Sequence, residues 1–227
     1  MQRIICFVLL VFAIVAPSFW TPVDAAYLRR RLVEDDPLMQ AMRWLEQDPH
    51  ADLYPQERRN QRFVLALLYY ELDGDDWYDN EDWLSYDVPE CEWFTSSGNQ
   101  AAVCDDDDHL VVLDLSDNNL AGTLPHYISI LTSLEVLQLS HNSLTGTLPA
   151  FDKMQSLEYL LLHNNSLTGS LSNSTILLPN LLYLNVADNE LTGSIPTTMG
   201  QSTSLKFLNL NNNFFNGTIP NDIISNS

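Results

Sequence analysis

Basic residues are scarce in this sequence. Lys and Arg together number 10 against 30 Asp and Glu, which gives a net charge of −20 at pH 7 over 227 residues. Nucleic-acid binding needs a basic surface, and docking on anionic lipid needs clustered Lys or Arg. The shortage therefore argues against both partner classes. The hydrophobic content of 45% is ordinary for a folded protein, so the acidity does not indicate a disordered tail.

Long apolar runs are also lacking. The longest covers residues 4–16 after a basic start, and Val23 and Ala25 fit the small-residue rule for cleavage after Ala25. Such a run is short for a transmembrane helix, and no later stretch is apolar enough to span a bilayer. We therefore predict a signal peptide at residues 1–25, no transmembrane helix after its removal, and a secreted or cell-surface protein. A signal-anchored membrane form is the alternative.

Cysteine is nearly absent, which excludes a cysteine-rich scaffold. Of the three cysteines, Cys6 lies within the predicted signal peptide, which leaves Cys91 and Cys104. An even pair in an oxidising compartment favours a disulfide over two free thiols.

Motifs for catalysis are missing as well. The sequence has no Ser-His-Asp order with a nucleophile elbow, no phosphate loop, no zinc spacing and no paired carboxylates in an evident cleft. Residues 71–108 hold fourteen Asp or Glu and no Lys or Arg, and end in four consecutive aspartates. Clustered carboxylates suit Ca²⁺, but a charge run is usually a solvated face. We predict no enzyme, cofactor or metal site, with calcium binding left open.

A five-fold repeat is what the sequence does contain. Copies start at residues 110, 134, 157, 181 and 205 and share the pattern Leu-x-x-Leu-x-Leu-x-x-Asn-x-Leu-x-Gly-x-Leu/Ile-Pro, with minor exceptions. A fixed period of this length predicts a solenoid. Each copy should open with a strand whose leucines point inward and whose pairing is parallel. The predicted strands are residues 111–115, 135–139, 158–162, 182–186 and 206–210.

One asparagine recurs at the turn after each strand. Stacked asparagine side chains can donate to and accept from the backbone of neighbouring coils, so we predict a structural ladder. Its members are Asn118, Asn142, Asn165, Asn189 and Asn213. Two departures stand out: the third copy has Ser172 in place of Pro, and the second copy is one residue short, which predicts a tighter turn.

A helical lead-in precedes the repeats. A first helix should begin at Pro37, since proline suits the first helical position. A second is predicted over residues 55–72, where Phe63, Leu67 and Tyr70 form an apolar stripe. Its outer, solvent-facing side is predicted to carry Glu57, Arg58, Arg59 and Arg62.

The segment between helices and repeats resembles a known cap. Gly74, Asp75 and Trp77, then Trp83, Cys91, Trp93 and Cys104, are spaced as in the N-terminal cap of plant-type leucine-rich-repeat proteins, although Asp82 and Phe94-Thr95 depart from that pattern. The Leu-x-Gly-x-Leu/Ile-Pro phrase matches the same family, and the lead-in resembles the extended caps of diatom and related algal members.

The resemblance implies an α/β fold. It implies a right-handed leucine-rich-repeat solenoid with a parallel concave β-sheet, a second strand at the Leu-x-Gly phrase and mostly 3₁₀ turns on the convex side. We divide the chain into a signal peptide (1–25), a flexible N-terminus (26–36), a helical and Cys/Trp cap (37–109) and five repeats (110–227). The repeats end without a closing cap, which predicts an open edge at Leu208, Leu210, Phe215 and Ile219.

The outward strand positions carry the functional hypothesis. One column becomes aromatic on a face that is otherwise polar, and exposed aromatics are favoured interface anchors, although they also suit strand packing. We predict that a peptide or protein ligand binds the concave face. The predicted contacts are Tyr159, Leu161, Tyr183, Asn185, Phe207 and Asn209. A membrane co-receptor is a further candidate partner. The alternatives are an inhibitor of a secreted hydrolase and a structural cell-surface or ice-binding repeat protein.

Other polar residues invite interpretation. Sequons at Asn164, Asn173 and Asn216 predict glycosylation in a secreted chain. A glycan on Asn164 would crowd the concave face, whereas Asn173 should lie on the convex side. His141 and His163 fall on adjacent coils; they suit two solvated polar side chains better than a metal or pH-sensing pair.

Overall fold

The structure, a computed structural model, describes residues 36–93 and 101–218. The predictions of a signal peptide and of a flexible N-terminus up to residue 35 lie outside these residues, as do Phe94-Thr95 and Ile219. No helix within the described part is long and apolar enough to cross a bilayer.

Two helices open the described part. Helix α1 (Pro37–Gln47) starts where the sequence predicts, and the side chain of Asp36 accepts from the Leu38 backbone N–H at 3.0 Å. A 3₁₀ turn (Ala51–Leu53) leads to α2 (Gln56–Glu71), whose apolar side is buried against α1. Helix α2 in turn packs against the first coil, where the rings of Phe63 and Tyr127 meet edge-to-face with centroids 5.8 Å apart.

The prediction that Arg62 lies on the outer side of α2 is wrong. The helical stripe predicts Arg62 on the solvent-facing side of the helix, but the residue is fully buried. Its guanidinium donates to Asp48 and Glu90, both of which are also buried, and stacks over Trp44 at 4.9 Å. Its salt bridges offset the cost of burying its charge. Glu57, by contrast, is exposed.

Three tryptophans build the core of the cap. Trp77 and Trp83 meet edge-to-face with ring centroids 4.9 Å apart, and Trp93 lies 5.0 Å from Trp83. All three are buried. Their large apolar area covers the end of the solenoid, which a first coil needs.

A disulfide between Cys91 and Cys104 links the cap to the sheet. It joins a 3₁₀ turn (Glu90–Glu92) to strand β1 (Ala102–Cys104). Strand β1 pairs antiparallel with the first repeat strand, through Ala102–Leu113 and Val103–Val112. The repeat pattern does not extend to β1, so this edge strand was missed in the sequence.

The repeat strands are β2 (Leu110–Asp114), β4 (Val136–Gln138), β6 (Tyr159–Leu161), β7 (Tyr183–Asn185) and β9 (Phe207–Asn209). Together with β1 they form the main sheet of the described residues, in the order β1-β2-β4-β6-β7-β9. The pairs from β2–β4 to β7–β9 are parallel, in the register that the repeat alignment predicts. Inward leucines such as Leu113 and Leu137 are fully buried, which confirms the predicted inside of the solenoid.

Second strands follow at the Leu-x-Gly phrase in four of the five copies, as the resemblance implies, whereas the third copy forms only isolated bridges, Thr147–Thr168 and Ser170–Thr192. They are β3 (Ala121–Thr123), β5 (Ser143–Thr145), β8 (Thr192–Ser194) and β10 (Phe214–Asn216), and they pair as β3–β5 and β8–β10. The glycine has positive φ in every copy. A Cβ on Gly146 would lie 2.7 Å from Oγ1 of Thr123 on the preceding coil, so both backbone and space require glycine there.

The convex turns vary between copies. The first and fourth copies form 3₁₀ turns (His126–Ile130 and Thr197–Gln201). The third forms a short helix α3 (Asn173–Ile176), because Ser172, in place of proline, accepts from the Thr175 N–H and caps it. Residues 151–157 of the shorter second copy form turns without a helix. The 3₁₀ expectation thus holds for two of these four described turns.

The recurring asparagines lie at the turn that follows each repeat strand and bond to the backbone of neighbouring segments. Asn142 donates through Nδ2 to the carbonyl of Leu115 on the preceding coil at 2.8 Å and accepts through Oδ1 from the N–H groups of Asn118 and Leu120. Asn165, Asn189 and Asn213 likewise reach the preceding coil. Asn118 instead bonds to the backbone of Asp79, so the column continues into the cap.

Candidate functional site

Three aromatic rings stack across the concave sheet; we call Tyr159, Tyr183 and Phe207 the aromatic stripe. The ring centroids of Tyr159 and Tyr183 are 4.9 Å apart with planes at 12°, and those of Tyr183 and Phe207 are 5.5 Å apart at 24°. The spacing follows from the in-register pairing of β6, β7 and β9, because parallel strands lie about 4.8 Å apart.

The aromatic stripe is both packed and exposed. Each ring covers a face of its neighbour, which is the sheet-packing role that aromatics commonly have in strands. Tyr183 nevertheless remains 36% exposed and Phe207 43% exposed. The stripe therefore presents a row of ring edges to solvent on a surface that is preorganised by the sheet.

The next column offers hydrogen-bond donors beside the rings. Leu161, Asn185 and Asn209 are paired in register and half-buried. The Oδ1 atoms of Asn185 and Asn209 accept from the backbone of their own turns, from Ala187 and Asn211, each at 3.2 Å. Their Nδ2 groups donate to no acceptor among the described residues, so they can donate to a ligand.

Acidic side chains dominate one end of this face. Glu135 and Glu158 immediately precede Val136 and Tyr159, and Asp114 lies on β2, where it accepts from Gln138 Nε2 at 3.2 Å. Lys206 precedes Phe207 at the opposite end. Acidic side chains therefore lie on or next to the first three repeat strands, whereas a lysine precedes the fifth.

Two histidines lie at the edge of the concave sheet. The rings of His141 and His163 meet edge-to-face with centroids 5.0 Å apart. Nδ1 of His163 is buried and has no hydrogen-bond partner. Burial and the neighbouring His141 lower the pKa of His163, whereas Asp188 raises it. No group of three or more metal-ligating side chains suitable for a metal ion is found in residues 36–93 and 101–218.

The aspartates that suggested calcium are engaged locally. Backbone N–H groups of His109 and Asp107 donate to Asp105 Oδ1, and these bonds lower the pKa of the Asp105 carboxyl. Asp108 accepts from Arg58 at 2.7 Å. These carboxylates therefore stabilise their own turn and its contact with α2.

The three sequons fall on different surfaces. Asn164 is half-buried and adopts a left-handed conformation beside His141, with its Nδ2 3.4 Å from His141 Nε2. Asn173 is exposed at the start of α3 and accepts from Thr198 Oγ1 at 2.9 Å. Asn216 is exposed in β10. A glycan on any of them stays a prediction.

One polar cluster was not found from the sequence. Buried Glu90 accepts from Arg58, Gln61 and Arg62, and Oε1 of Gln61 accepts from the N–H of Leu110 at 2.6 Å. The cluster thus fixes α2 to the start of the first repeat strand. The available signal was the i, i+4 spacing of Arg58 and Arg62 together with Glu90 next to Cys91.

Family models match the repeats. A model described as "Leucine rich repeat" matches residues 108–167, and a second leucine-rich-repeat model matches residues 180–202 and 204–226. A search of curated proteins found no match.

Solved structures with the same architecture come from plant receptors. A chain of the BIR3–SERK2 complex from Arabidopsis thaliana is 26% identical, with a TM-score of 0.58, covering 70% of this chain and 87% of that one. The ectodomain of the receptor kinase GASSHO1/SCHENGEN3 from Arabidopsis thaliana, in complex with CASPARIAN STRIP INTEGRITY FACTOR 2, is 31% identical, with a TM-score of 0.58, covering 63% and 17%.

A third similar structure is PEPR1–AtPEP1, which is 29% identical, with a TM-score of 0.53, covering 70% of this chain and 26% of that one. The chain therefore spans most of the first relative but only about a quarter or less of the other two.

Proposed function

We propose that this chain, whose repeats match leucine-rich-repeat models over residues 108–167, 180–202 and 204–226, is an extracellular recognition module whose concave sheet binds a peptide or protein segment. The observation that carries the proposal is the aromatic stripe of Tyr159, Tyr183 and Phe207. Rigid aromatic side chains that are already stacked lose little conformational freedom when a ligand covers them, which favours affinity.

The surroundings of the stripe supply specificity. Asn185 and Asn209 hold amide donors next to the rings, where they can meet the carbonyl groups of an extended peptide. Leu161 adds apolar area in the same column. Two of the similar solved structures are complexes with CASPARIAN STRIP INTEGRITY FACTOR 2 and AtPEP1, which supports a protein-like ligand here.

The proposal is tested by selecting a random dodecapeptide display library on the immobilised full chain. We expect enrichment of peptides on the wild type and its loss on the variant that combines Tyr159→Ala with Tyr183→Ala. The matched control combines Leu53→Ala with Tyr78→Ala, which removes two side chains that are 80% and 73% exposed in the cap.

Circular dichroism and thermal melting of each variant establish that the chain is folded. The proposal stands if the control variant still enriches the wild-type peptides. It fails if no peptide is enriched on the wild type, or if the double tyrosine variant, once shown to be folded, enriches the same peptides.

A further inference from the structure

A cavity of about 190 Å³ lies between helix α2 and the first repeat. Its lining comes from α2, from the residues where β2 begins and from residues 130–133, which precede β4. Each later copy follows another repeat rather than a helix, so the cavity belongs to the junction with the cap. It shares no lining residue with the aromatic stripe or with the column beside it.

Hydrogen-bond donors line part of the cavity. Asn60 uses only its Oδ1, which accepts from Gln56 Nε2 at 2.9 Å, so its Nδ2 group donates to no acceptor in the described part of the chain. The hydroxyl groups of Thr132 and Ser133 have no hydrogen-bond partner there either, and each can donate or accept. These three groups can therefore meet oxygen atoms of a ligand.

Acceptors line the same cavity. Glu57 is exposed, and its carboxylate forms no salt bridge or hydrogen bond with another described residue. Nδ1 of His109 lies 3.2 Å from Oδ2 of Asp105. Because a carboxylate only accepts, the proton of the neutral imidazole is on Nδ1, and Nε2 is left as an acceptor. Glu57 and His109 can therefore accept from hydroxyl groups of a ligand.

Aliphatic side chains complete the lining. Leu110 and Leu131 are buried, and Ile130 packs half-buried against the core. A cavity of about 150 Å³ holds benzene, so one of about 190 Å³ holds a six-membered ring that carries substituents. The cavity thus combines room for one ring with an apolar surface and with polar groups of both kinds.

This combination disfavours most small ligands. An apolar ring would strip water from the polar side chains without replacing their hydrogen bonds. An anion would be repelled by Glu57, and a small cation would pair with Glu57 but leave the donor of Asn60 unused. A neutral pyranose avoids these costs, because its C–H groups contact aliphatic side chains while its hydroxyl groups both donate and accept.

We infer that the cavity is a binding site for one neutral hexose ring. The ring contacts the aliphatic side chains, and its hydroxyl groups donate to Glu57 and His109 and accept from Asn60. The inference goes beyond the proposed function, since both the site and the ligand class differ from those of the concave sheet.

Saturation-transfer NMR on the full chain tests the site. The probes are the methyl α-pyranosides of glucose, galactose and mannose, each with its uronide, in which a carboxylate replaces the terminal hydroxymethyl group. At least one neutral probe should bind with a Kd of roughly 1–10 mM, as expected for a single small ring. Its uronide should bind about fivefold more weakly, because Glu57 repels the carboxylate.

Glu57→Gln tests which carboxylate repels the uronide. A chain with a net charge of −20 repels any anion, so a control must remove one charge elsewhere. Glu57→Gln should bring the Kd values of the neutral probe and its uronide together. Glu190→Gln, at an exposed position of the fourth copy, should leave the difference unchanged.

Ser133→Leu tests where the ring lies. The added side chain occupies part of the cavity and should weaken binding of the neutral hexose by about tenfold. Ser156→Leu makes the same substitution at the equivalent half-buried position of the next copy and should bind as the wild type does. Sugars also stack on exposed aromatic rings, so the variant combining Tyr159→Ala with Tyr183→Ala is a second control and should keep hexose binding. Thermal melting shows that each variant is folded.

The inference is overturned if no neutral hexose binds, or if folded Ser133→Leu binds as the wild type does. An equal loss in Ser156→Leu or in the tyrosine variant also overturns it, because the ring would then lie elsewhere. If Ser133→Leu does not fold, Glu57→Gln decides: a uronide that keeps its weaker binding to that variant contradicts the site. Peptide selection on the concave sheet is a separate measurement, so the two proposals fail independently.

Discussion

Arg62 donates through Nη1 to Oε2 of Glu90 at 2.7 Å, and neither side chain has any exposed surface. The same guanidinium donates to Asp48 Oδ2 at 3.0 Å and to the carbonyl of Ser85 at 3.1 Å. Asp48 follows α1, Arg62 lies in α2, and Glu90 stands next to the disulfide. One cation therefore joins three separate segments of the cap.

Replacement of Arg62 by methionine should destabilise the protein by about 3–5 kcal/mol, because it leaves Asp48 buried without its cation. Urea unfolding followed by circular dichroism measures the change. The control is Arg59→Met, the same substitution on the same helix. The Arg59 guanidinium forms no salt bridge among the described residues and donates to Gln56 Oε1 at 3.4 Å. We expect the control to cost far less. Equal losses would show that the ion pairs add nothing beyond packing.

The repeats were predictable from sequence in a way that the cap was not. Leu113 and Asn142 recur at a fixed period, so alignment of the copies gave both the buried side and the strand register that stacks Tyr159 on Tyr183. Arg62 lies outside the repeats, so no aligned position in another copy predicts its burial. Its acceptor Glu90 lies 28 residues away across an irregular segment, and a helical stripe alone places an arginine in solvent.

The repeat pattern also does not predict contacts between a residue and a neighbouring chain segment. The buried Nδ1 of His163 and the extra strand β1 both depend on the adjacent chain segment. The repeat alignment predicts the column to which His163 belongs, whereas the burial of its Nδ1 depends on the neighbouring coils.

Asn142→Ala should cost about 1–3 kcal/mol, because the N–H groups of Asn118 and Leu120 and the carbonyl of Leu115 lose their partner. Thermal melting reports the loss. Asn180→Ala removes an exposed bond to the Gln155 carbonyl and should stay within about 0.5 kcal/mol of the wild type. An unchanged midpoint for Asn142→Ala would contradict the ladder.

Two glycines form a matched pair. Gly169 and Gly217 have φ of +81° and +84°, so alanine at either should cost about 1–2 kcal/mol of backbone strain. A Cβ at Gly169 would also lie 2.8 Å from Thr147 Cγ2, whereas one at Gly217 would lie 3.8 Å from Ser194 Cβ. Gly169→Ala should therefore lower the melting temperature more than Gly217→Ala. Equal shifts would mean that the coils move apart freely.

His163 should make stability depend on pH. Its pKa is lowered in the folded protein by burial and by His141, whereas the unfolded chain titrates near the ordinary value of about 6.5. Below that pH the unfolded state binds more protons, so the free energy of unfolding falls as the pH decreases. The loss should level off once the pH passes below the folded pKa.

Melting temperatures of the wild type and of His163→Gln between pH 7.5 and 5.0 test this dependence. The wild type should lose more stability over that interval than His163→Gln. His50→Gln, at an exposed site in the cap, controls for removal of an imidazole.

Asp188→Asn removes the group that raises the pKa of His163. It should shift the NMR titration of the His163 ring to lower pH and steepen the acid loss. A titration that moves upward, or a His163→Gln profile parallel to the wild type, would exclude this role for the histidine pair.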